Sequence, residues 1–247
     1  MKLTGFLYVT ALLLLSSVMA KNAIASTTGS VGSANVSAGK TSMEMRLGYS
    51  EADERSSQDE RFRQRLQLDH GFNDHYAARI VWQGDKRKGD HFEHDSVTLD
   101  NRFQFLKSAK RGWDFGARAN YQLKDGDKKA DKIGGGLYER IPFDNYELRM
   151  NQLLSHEVGE ASVSGLNAEA RFQLTRKTNH NLRFGLESFH DFGNLKTLSG
   201  YDNQSHTFGP VIKGSLPYNL SFETGYRTGL SDAAPDHNFK FFMSRSF

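Results

Sequence analysis

The sequence WDFGARANYQL, residues 113–123, places apolar or small side chains at odd numbers and mostly polar ones at even numbers. Successive side chains of a β-strand point to opposite faces, so this alternation predicts a strand with one apolar and one polar face. A tilted strand needs about ten residues to cross a bilayer, which this stretch supplies. We therefore interpret residues 113–123 as a membrane-spanning strand.

The same alternation recurs from residue 41 to residue 247, and no stretch after residue 40 has the sustained 3.6-residue period of an amphipathic helix. About twelve such segments can be counted, each about ten residues long. The sequence therefore predicts an all-β fold, a transmembrane, antiparallel, up-and-down β-barrel of about twelve strands. Residues 132–141 are the least regular segment because 134–136 are all glycine; together with Pro210, they leave about ten strands as an alternative.

The connections between these segments alternate in length, as the turns and loops of a membrane barrel do. One set is short and comprises residues 71–74, 142–145 and 216–219. The other set is longer and charged and comprises residues 51–59, 84–94, 124–131, 192–203 and 229–237. An even number of strands would place both ends of the barrel on the periplasmic side, together with the short turns.

Aromatic residues make up 12% of the chain, and many fall where strands begin or end. Tracing the strands up and down predicts a periplasmic girdle (Tyr76, Trp113, Tyr146, Phe247) and an outer girdle (Tyr49, Trp82, Tyr121, Tyr226). Aromatic rings concentrate at the two interfaces of a membrane barrel in this way. The alternative is a soluble barrel, which would have to bury its whole apolar face beneath a largely charged exterior.

The first residues have the composition of an export signal, with Lys2 before an apolar stretch over residues 6–15. That stretch is too short for a comfortable membrane span, although a retained N-terminal anchor is the alternative. Small residues suited to signal peptidase place cleavage after Ala20, with Ala25 as the other choice. The predicted organisation is a signal peptide at 1–20, a flexible periplasmic leader at 26–40 and the barrel at 41–247.

Composition limits the other possibilities. The mean hydropathy is −0.62, which excludes a bundle of transmembrane helices but not a barrel whose strands are apolar at every second position. The chain contains no cysteine, so the fold must close without disulfides. The formal net charge is +3, so the whole-chain charge does not indicate a nucleic-acid partner.

The polar face of the predicted strands is rich in arginine. Three of these residues, Arg61, Arg63 and Arg65, occupy consecutive inward positions and form what we call the arginine row. Arginine keeps its charge at any working pH, and its planar fork matches carboxylate, sulfate or phosphate. Rings of such residues favour anions in a channel. The predicted pore-lining set is Arg46, Arg61, Arg63, Arg65, Arg79, Arg102, Arg118, Arg149, Arg171, Arg183 and Arg227.

Two other functions are compatible with this pattern. Pairs of arginine and acidic side chains could fill a narrow barrel, which would then be a closed structural protein without transport. An outer-membrane lipid-modifying enzyme would need a nucleophile with a base, but Ser155–His156 and Ser205–His206 are neighbours that point to opposite faces. Ser188 and His190 share a face, but it is the lipid-facing one. We predict no catalytic residue, metal site or cofactor.

The chain ends with FKFFMSRSF, residues 239–247, in which Phe239, Phe241, Met243 and Phe247 share one face. This ending resembles the C-terminal signature of bacterial outer-membrane proteins, although Arg245 stands where the signature usually has an apolar residue. The resemblance implies location in the cell outer membrane, surrounded by lipid, and recognition of Phe247 by the barrel-assembly machinery. A long arginine side chain near the interface can snorkel to water, so this departure is tolerable.

About twelve strands with arginine-rich walls, in a chain of this size, resemble the small oligogalacturonate-specific porin group and related acidic-sugar channels. The likeness is architectural, with a short echo in MRLGY, residues 45–49. It implies passive uptake of anionic oligosaccharides along basic tracks of the wall. From the arginine-rich face, we predict a monomeric porin for passive diffusion of small anionic solutes.

Overall fold

The computed structural model describes residues 26–53, 56–107, 112–126, 129–178 and 180–247. Within them, twelve antiparallel strands follow one another around a closed barrel, in which β1 also pairs with β12. The strands are β1 (Thr41–Glu51), β2 (Arg61–Gly71), β3 (Tyr76–Lys86), β4 (Glu93–Leu106), β5 (Asp114–Lys124), β6 (Asp131–Phe143), β7 (Tyr146–Val158), β8 (Leu166–Lys177), β9 (Leu182–Asn194), β10 (Ser205–Leu216), β11 (Leu220–Gly229) and β12 (His237–Ser246). The predicted twelve-stranded up-and-down barrel is therefore confirmed. The predicted signal peptide and both cleavage positions lie outside the described residues.

The least regular predicted strand, β6, is continuous and pairs along its length with β5 and β7. Its three glycines fit because the neighbouring strands approach closely: a Cβ on Gly134 would lie 2.8 Å from the side chain of Asn120. Pro210 also lies inside a strand, where the ladder between β10 and β11 has no pairing at residues 209 and 210. Since proline cannot donate to a ladder, the pairing with β11 is interrupted at these two residues but the strand continues.

The connections differ in length at the two ends of the barrel, as the sequence predicts. The β6–β7 turn is only Asp144 and Asn145, and the turn before β11 places Tyr218 and Asn219 at positive φ. At the other end, the β9–β10 loop runs over residues 195–204 and contains two short 3-10 turns. The short turns define the end that we call periplasmic, and the long loops define the outer end. No helix among the described residues is long and apolar enough to cross a membrane.

The outer and inner faces of the barrel have opposite character. Leu68, Ile80 and Leu99 point outward and are each more than half exposed. Asp100 and Glu187 point inward and are buried. A soluble barrel buries the apolar face instead, so the structure excludes that alternative. An apolar exterior around a polar lumen, closed by an even number of strands, is the construction of an outer-membrane β-barrel.

Aromatic side chains form contacts at both rims of the apolar band. At the periplasmic rim, Tyr76 stacks on Phe72 with ring centroids 5.4 Å apart, and Phe143 stacks on Tyr146 at 5.6 Å. At the outer rim, the ring of Trp82 stacks on that of His94 at 6.0 Å. These rings lie where the polar and apolar parts of a bilayer meet, which fits the predicted girdles.

Residues 26–38, which we call the luminal segment, extend from the inside of the barrel to its periplasmic rim, where Ser37 and Ala38 are exposed. The sequence-based expectation for this part of the chain is a flexible periplasmic leader, and the structure differs from it. Thr27, Thr28 and Val31 are at most 1% exposed, because the inner wall surrounds them. The segment consists of small residues, so it fits a lumen that larger side chains would overfill.

Candidate functional site

The predicted pore-lining arginines all belong to the strands that form the inner wall, and ten of them have a carboxylate partner. Among the described residues, Arg65 alone of the eleven has no carboxylate oxygen within 4.0 Å; it donates to the side chain of Gln83 at 2.6 Å. The paired arginines are Arg46, Arg61, Arg63, Arg79, Arg102, Arg118, Arg149, Arg171, Arg183 and Arg227. The lumen is thus a network of ion pairs as well as a basic surface.

Near the outer end, Arg61 and Arg63 share one acid, and we call them the outer arginine pair. The Arg61 Nη2 atom lies 2.5 Å from Asp85 Oδ2, and Arg63 Nε lies 3.5 Å from Asp85 Oδ1. A second inward acid, Asp95, lies 2.8 Å from Lys124 Nζ. Sequence reasoning missed Asp85 because it assigned residues 84–94 to a loop, whereas β3 continues to Lys86. It missed Asp95 because the register between β3 and β4 shifts at Gly84, which places this odd-numbered residue inside although odd-numbered Leu99 faces outward.

Toward the periplasmic end, single carboxylates bridge several arginines. Asp69 pairs with both Arg79 and Arg102. Glu147 accepts from Arg149 Nε at 2.7 Å and from Arg140 Nε at 2.8 Å. Arg140 is an inward arginine that the sequence analysis missed, because the glycine run of β6 obscured which face it is on. The signal was present in Ile133 and Leu137, which point outward at odd positions and so place even-numbered Arg140 inside.

Midway along the lumen, three arginines contact the luminal segment, and we call them the central arginines. Arg227 Nη2 donates to the carbonyl of Ser26 at 3.1 Å, Arg46 Nη1 to that of Thr28 at 3.3 Å, and Arg171 Nη1 to that of Ser30 at 3.0 Å. These arginines come from β11, β1 and β8, so they reach the segment from separate parts of the wall. Each of them also keeps a carboxylate partner.

Two inward-facing rings lie among these cations. The guanidinium carbon of Arg227 lies 3.8 Å from the centre of the Phe189 ring, and that of Arg46 lies 4.7 Å from the centre of the Phe242 ring. Aromatic faces stabilise cations that have lost part of their hydration. The rings therefore help to hold two central arginines in fixed positions.

The lumen contains two adjoining cavities, which share Arg149 in their linings. One, of about 440 Å³, lies at the periplasmic end, and its described lining includes four bases and two acids. The other, of about 320 Å³, lies beside the luminal segment, and its described lining includes seven arginines and three acids. Eight of the eleven predicted arginines line one of the two cavities, whereas Arg61, Arg63 and Arg227 line neither.

Some guanidinium groups retain unused donors. Arg102 Nε and Arg183 Nη1 are buried and have no hydrogen-bond partner among the described residues. Arg102 lines the cavity beside the luminal segment, and Arg183 lines the periplasmic cavity. An anion or water in either cavity could accept from these groups, because buried donors are normally satisfied.

The histidines considered as bases have other partners. His190 Nδ1 lies 3.1 Å from His206 Nδ1, and His156 Nδ1 lies 2.8 Å from the carbonyl of Gly165. His206 Nε2 lies 3.1 Å from the side-chain oxygen of Gln204. These contacts join histidines to each other, to a loop carbonyl and to an amide, rather than to a serine. Within the described residues, no group of three or more His, Asp or Glu side chains could hold a metal ion.

Neither a family model nor a curated protein matches this sequence. The fold is similar to that of a solved structure described as "KdgM porin", with a TM-score of 0.60 and 8% identity over 83% of this chain and 99% of that one. A second is "KdgM porin in complex with disordered oligogalacturonate" (TM-score 0.59, 8% identity, 83% and 99% covered). A third is a "NanC porin" (TM-score 0.59, 9% identity, 82% and 98% covered). The resemblance to the small acidic-sugar porin group is thus confirmed at the level of the fold.

Proposed function

We propose that this protein is an outer-membrane porin for passive diffusion of small anionic solutes. The observation that carries the proposal is the charge of the two cavities, whose described linings hold about twice as many bases as acids. A solute entering either cavity meets guanidinium groups that are always charged and are already held in position by carboxylates. The predicted pore-lining arginines are proposed to act in this way as a set.

The ion pairs shape the mechanism that we propose. A wall of unpaired arginines would repel itself and would bind an anion too tightly for release. Asp69 and Glu147 each neutralise part of a cluster, and donors such as Arg102 Nε and Arg183 Nη1 remain for the solute. An anion that has lost part of its hydration would then pass from one guanidinium to the next.

Acidic oligosaccharides are the solute class that we propose first. One structure of similar fold is described as a complex with oligogalacturonate, and the fold covers nearly the whole of that chain. A polymer of carboxylated sugars presents anionic groups at intervals, which suits a wall that presents guanidinium groups at intervals.

The test is the reversal potential of single channels in a planar bilayer under a salt gradient. The intact protein is expected to prefer anions, and Arg102→Gln is expected to lower that preference, because Arg102 lines a cavity and Asp69 keeps Arg79 as a partner. The matched control is Arg176→Gln, since Arg176 is exposed and lies over the Tyr146 ring. Equal loss of selectivity in the two variants would contradict the assigned role of the lumen.

A closed structural barrel is the second candidate, and two observations favour it. The luminal segment occupies part of the lumen, and most inward arginines are paired. This candidate predicts no conductance from a folded barrel, either intact or without the segment. The same bilayer recordings therefore distinguish a structural barrel from a porin.

Assembly is proposed to depend on the C-terminal residue. Phe247 is 68% exposed, and its backbone N–H donates to the carbonyl of Thr41 at 2.9 Å, where β12 meets β1. We infer that the barrel-assembly machinery recognises this end and that the mature protein is a monomer surrounded by lipid. Impaired membrane assembly of Phe247→Ala would support the first inference, and cross-linking in outer membranes tests the second.

A further inference from the structure

We propose that residues 26–38 are a tethered plug of the lumen and that polyanionic solutes displace it by competing for the central arginines. This inference rests on the proposed porin function and adds a gate to it. The segment occupies the same guanidinium groups that a passing anion would use. It therefore makes the basic lumen a site with two alternative ligands, one of them part of the chain.

The first observation is the set of hydrogen bonds that join the backbone of the segment to the wall. In its N-terminal part, backbone carbonyls, which are uncharged, accept hydrogen bonds from Arg227, Arg46 and Arg171. Further along, Gly32 exchanges hydrogen bonds with the side chain of Asn151, at 2.7 Å to Oδ1 and 3.2 Å from Nδ2. Val36 also forms hydrogen bonds to the wall through both its N–H and its carbonyl. Contacts of this kind are those of a bound peptide.

The periplasmic part of the segment is held as specifically. The Val36 N–H donates to Gln104 Oε1 at 2.8 Å, and the Val36 carbonyl accepts from Lys107 Nζ at 3.2 Å. Just outside it, Gly39 donates to the carbonyl of Gly71 at 2.8 Å. The tether to β1 therefore begins at the barrel rim and fixes the segment close to its binding site.

The second observation is the fit between two glycines and two lumen-facing rings. A Cβ on Gly29 would lie 2.8 Å from Phe189 Cε1, and one on Gly32 would lie 2.7 Å from Tyr138 Cε1. Phe189 is completely buried, and Tyr138 is 5% exposed. An apolar ring in the wall of a water-filled pore would expose its surface to water, which is unfavourable. Packing against a peptide removes that surface from water.

The chemistry of the contacts makes them replaceable. A carbonyl oxygen is a neutral acceptor, whereas a carboxylate or sulfate oxygen is charged and forms a stronger bond to a guanidinium group. The tether keeps the segment at a high effective concentration, so one carboxylate that takes over one of three arginines is a weak competitor. A solute with several carboxylates can replace several contacts together. We therefore expect polyanions to open the lumen and monoanions to leave it plugged.

The first experiment compares single-channel conductance of the intact protein with that of a variant lacking residues 26–37, both purified after export. The expected result is a several-fold higher conductance in the variant, with anion preference retained. Equal conductance in the two proteins overturns the plug and leaves the porin function standing. Absence of conductance in both folded proteins overturns the porin function and, with it, the gate.

The second experiment follows the segment directly and does not depend on current. The chain has no native cysteine, so Val31→Cys and Asn35→Cys each provide a single thiol. Val31 is 1% exposed, whereas Asn35 is an exposed position of the same segment and serves as the control. With a small thiol reagent, Val31→Cys is expected to react at least tenfold more slowly than Asn35→Cys.

The competing solute is then added to the same samples. Tetragalacturonate is expected to accelerate labelling of Val31→Cys several-fold, whereas the same carboxylate concentration of monomeric galacturonate leaves it unchanged. Labelling of Asn35→Cys should not respond to either solute. Fast labelling of Val31→Cys without solute overturns the plug, and slow labelling that tetragalacturonate does not change overturns the competition.

Discussion

The outer arginine pair and the central arginines are the same residue type on the same face of the barrel, but they are held in different ways. Arg61 and Arg63 share the carboxylate of Asp85, which is a charged partner fixed in a strand. Arg46 and Arg171 each keep a carboxylate but also donate to neutral carbonyls of the luminal segment, which is not part of any strand. The outer arginine pair therefore belongs to a structural part of the lumen, whereas the carbonyl contacts of the central arginines can be replaced by another acceptor.

The largest expected effect comes from removing the shared acid of the outer arginine pair. Asp85→Asn leaves two buried guanidinium groups without their carboxylate, and breaking a buried ion pair costs about 3–5 kcal/mol. We expect the free energy of unfolding to fall by about 3 kcal/mol or more, as measured by urea titration of the protein folded in lipid vesicles.

The control for this prediction is Asp90→Asn, because Asp90 is an exposed residue of the β3–β4 loop. Exposed charges contribute roughly 0–1 kcal/mol, so this variant should unfold almost as the intact protein does. If Asp85→Asn lowered the free energy of unfolding as little as Asp90→Asn does, the contacts of the outer arginine pair would not be more structural than those of the central arginines.

Substituting a central arginine is expected to lower stability less but to loosen the luminal segment more, because the Arg171–Glu169 pair is more exposed than the Arg61–Asp85 pair. Arg171→Gln removes the donor to the Ser30 carbonyl, and a hydrogen bond from a charged group contributes about 1.5–3 kcal/mol. In the Val31→Cys background, thiol labelling should become about tenfold faster or more, since 1.4 kcal/mol corresponds to a factor of ten. Arg63→Gln, in the same background, should leave the labelling rate unchanged.

The sequence predicted the barrel but not the partners inside it. Period-two alternation is local, so residues 113–123 and their counterparts predicted the strands and their outward faces. Ion pairing depends on which residues meet across strands, and the sequence does not state the register. Asp85 lies opposite Arg63 because of the particular register in which β2 and β3 pair. A different register would place another residue of β3 opposite Arg63.

The luminal segment shows a second limit of sequence reasoning. Residues 26–40 are small and polar, and that composition is typical of a flexible linker. The same composition suits a peptide bound in a narrow polar lumen, because glycine at positions 29 and 32 allows close approach to Phe189 and Tyr138. The distinction depends on the surroundings of the segment, which its own sequence does not contain.

The smallest expected effect concerns an ion pair in the outer loops whose cation, Lys88, is about half exposed, unlike the buried Arg61 of the Arg61–Asp85 pair. Lys88 Nζ lies 2.7 Å from Asp59 Oδ2, and this hydrogen bond lowers the pKa of Asp59 below its ordinary value. A lowered carboxyl pKa stabilises the loop contact above about pH 4, and that stabilisation is lost as the pH falls through the lowered pKa. Lys88→Met should therefore raise the pKa of Asp59 toward its ordinary value, and NMR titration of labelled aspartate checks it.

Lys86→Met, at the exposed end of β3, is the control. A change in barrel stability with Lys88→Met would show that the loop pair supports the fold as the Arg61–Asp85 pair does, and the contrast between these two pairs would be lost.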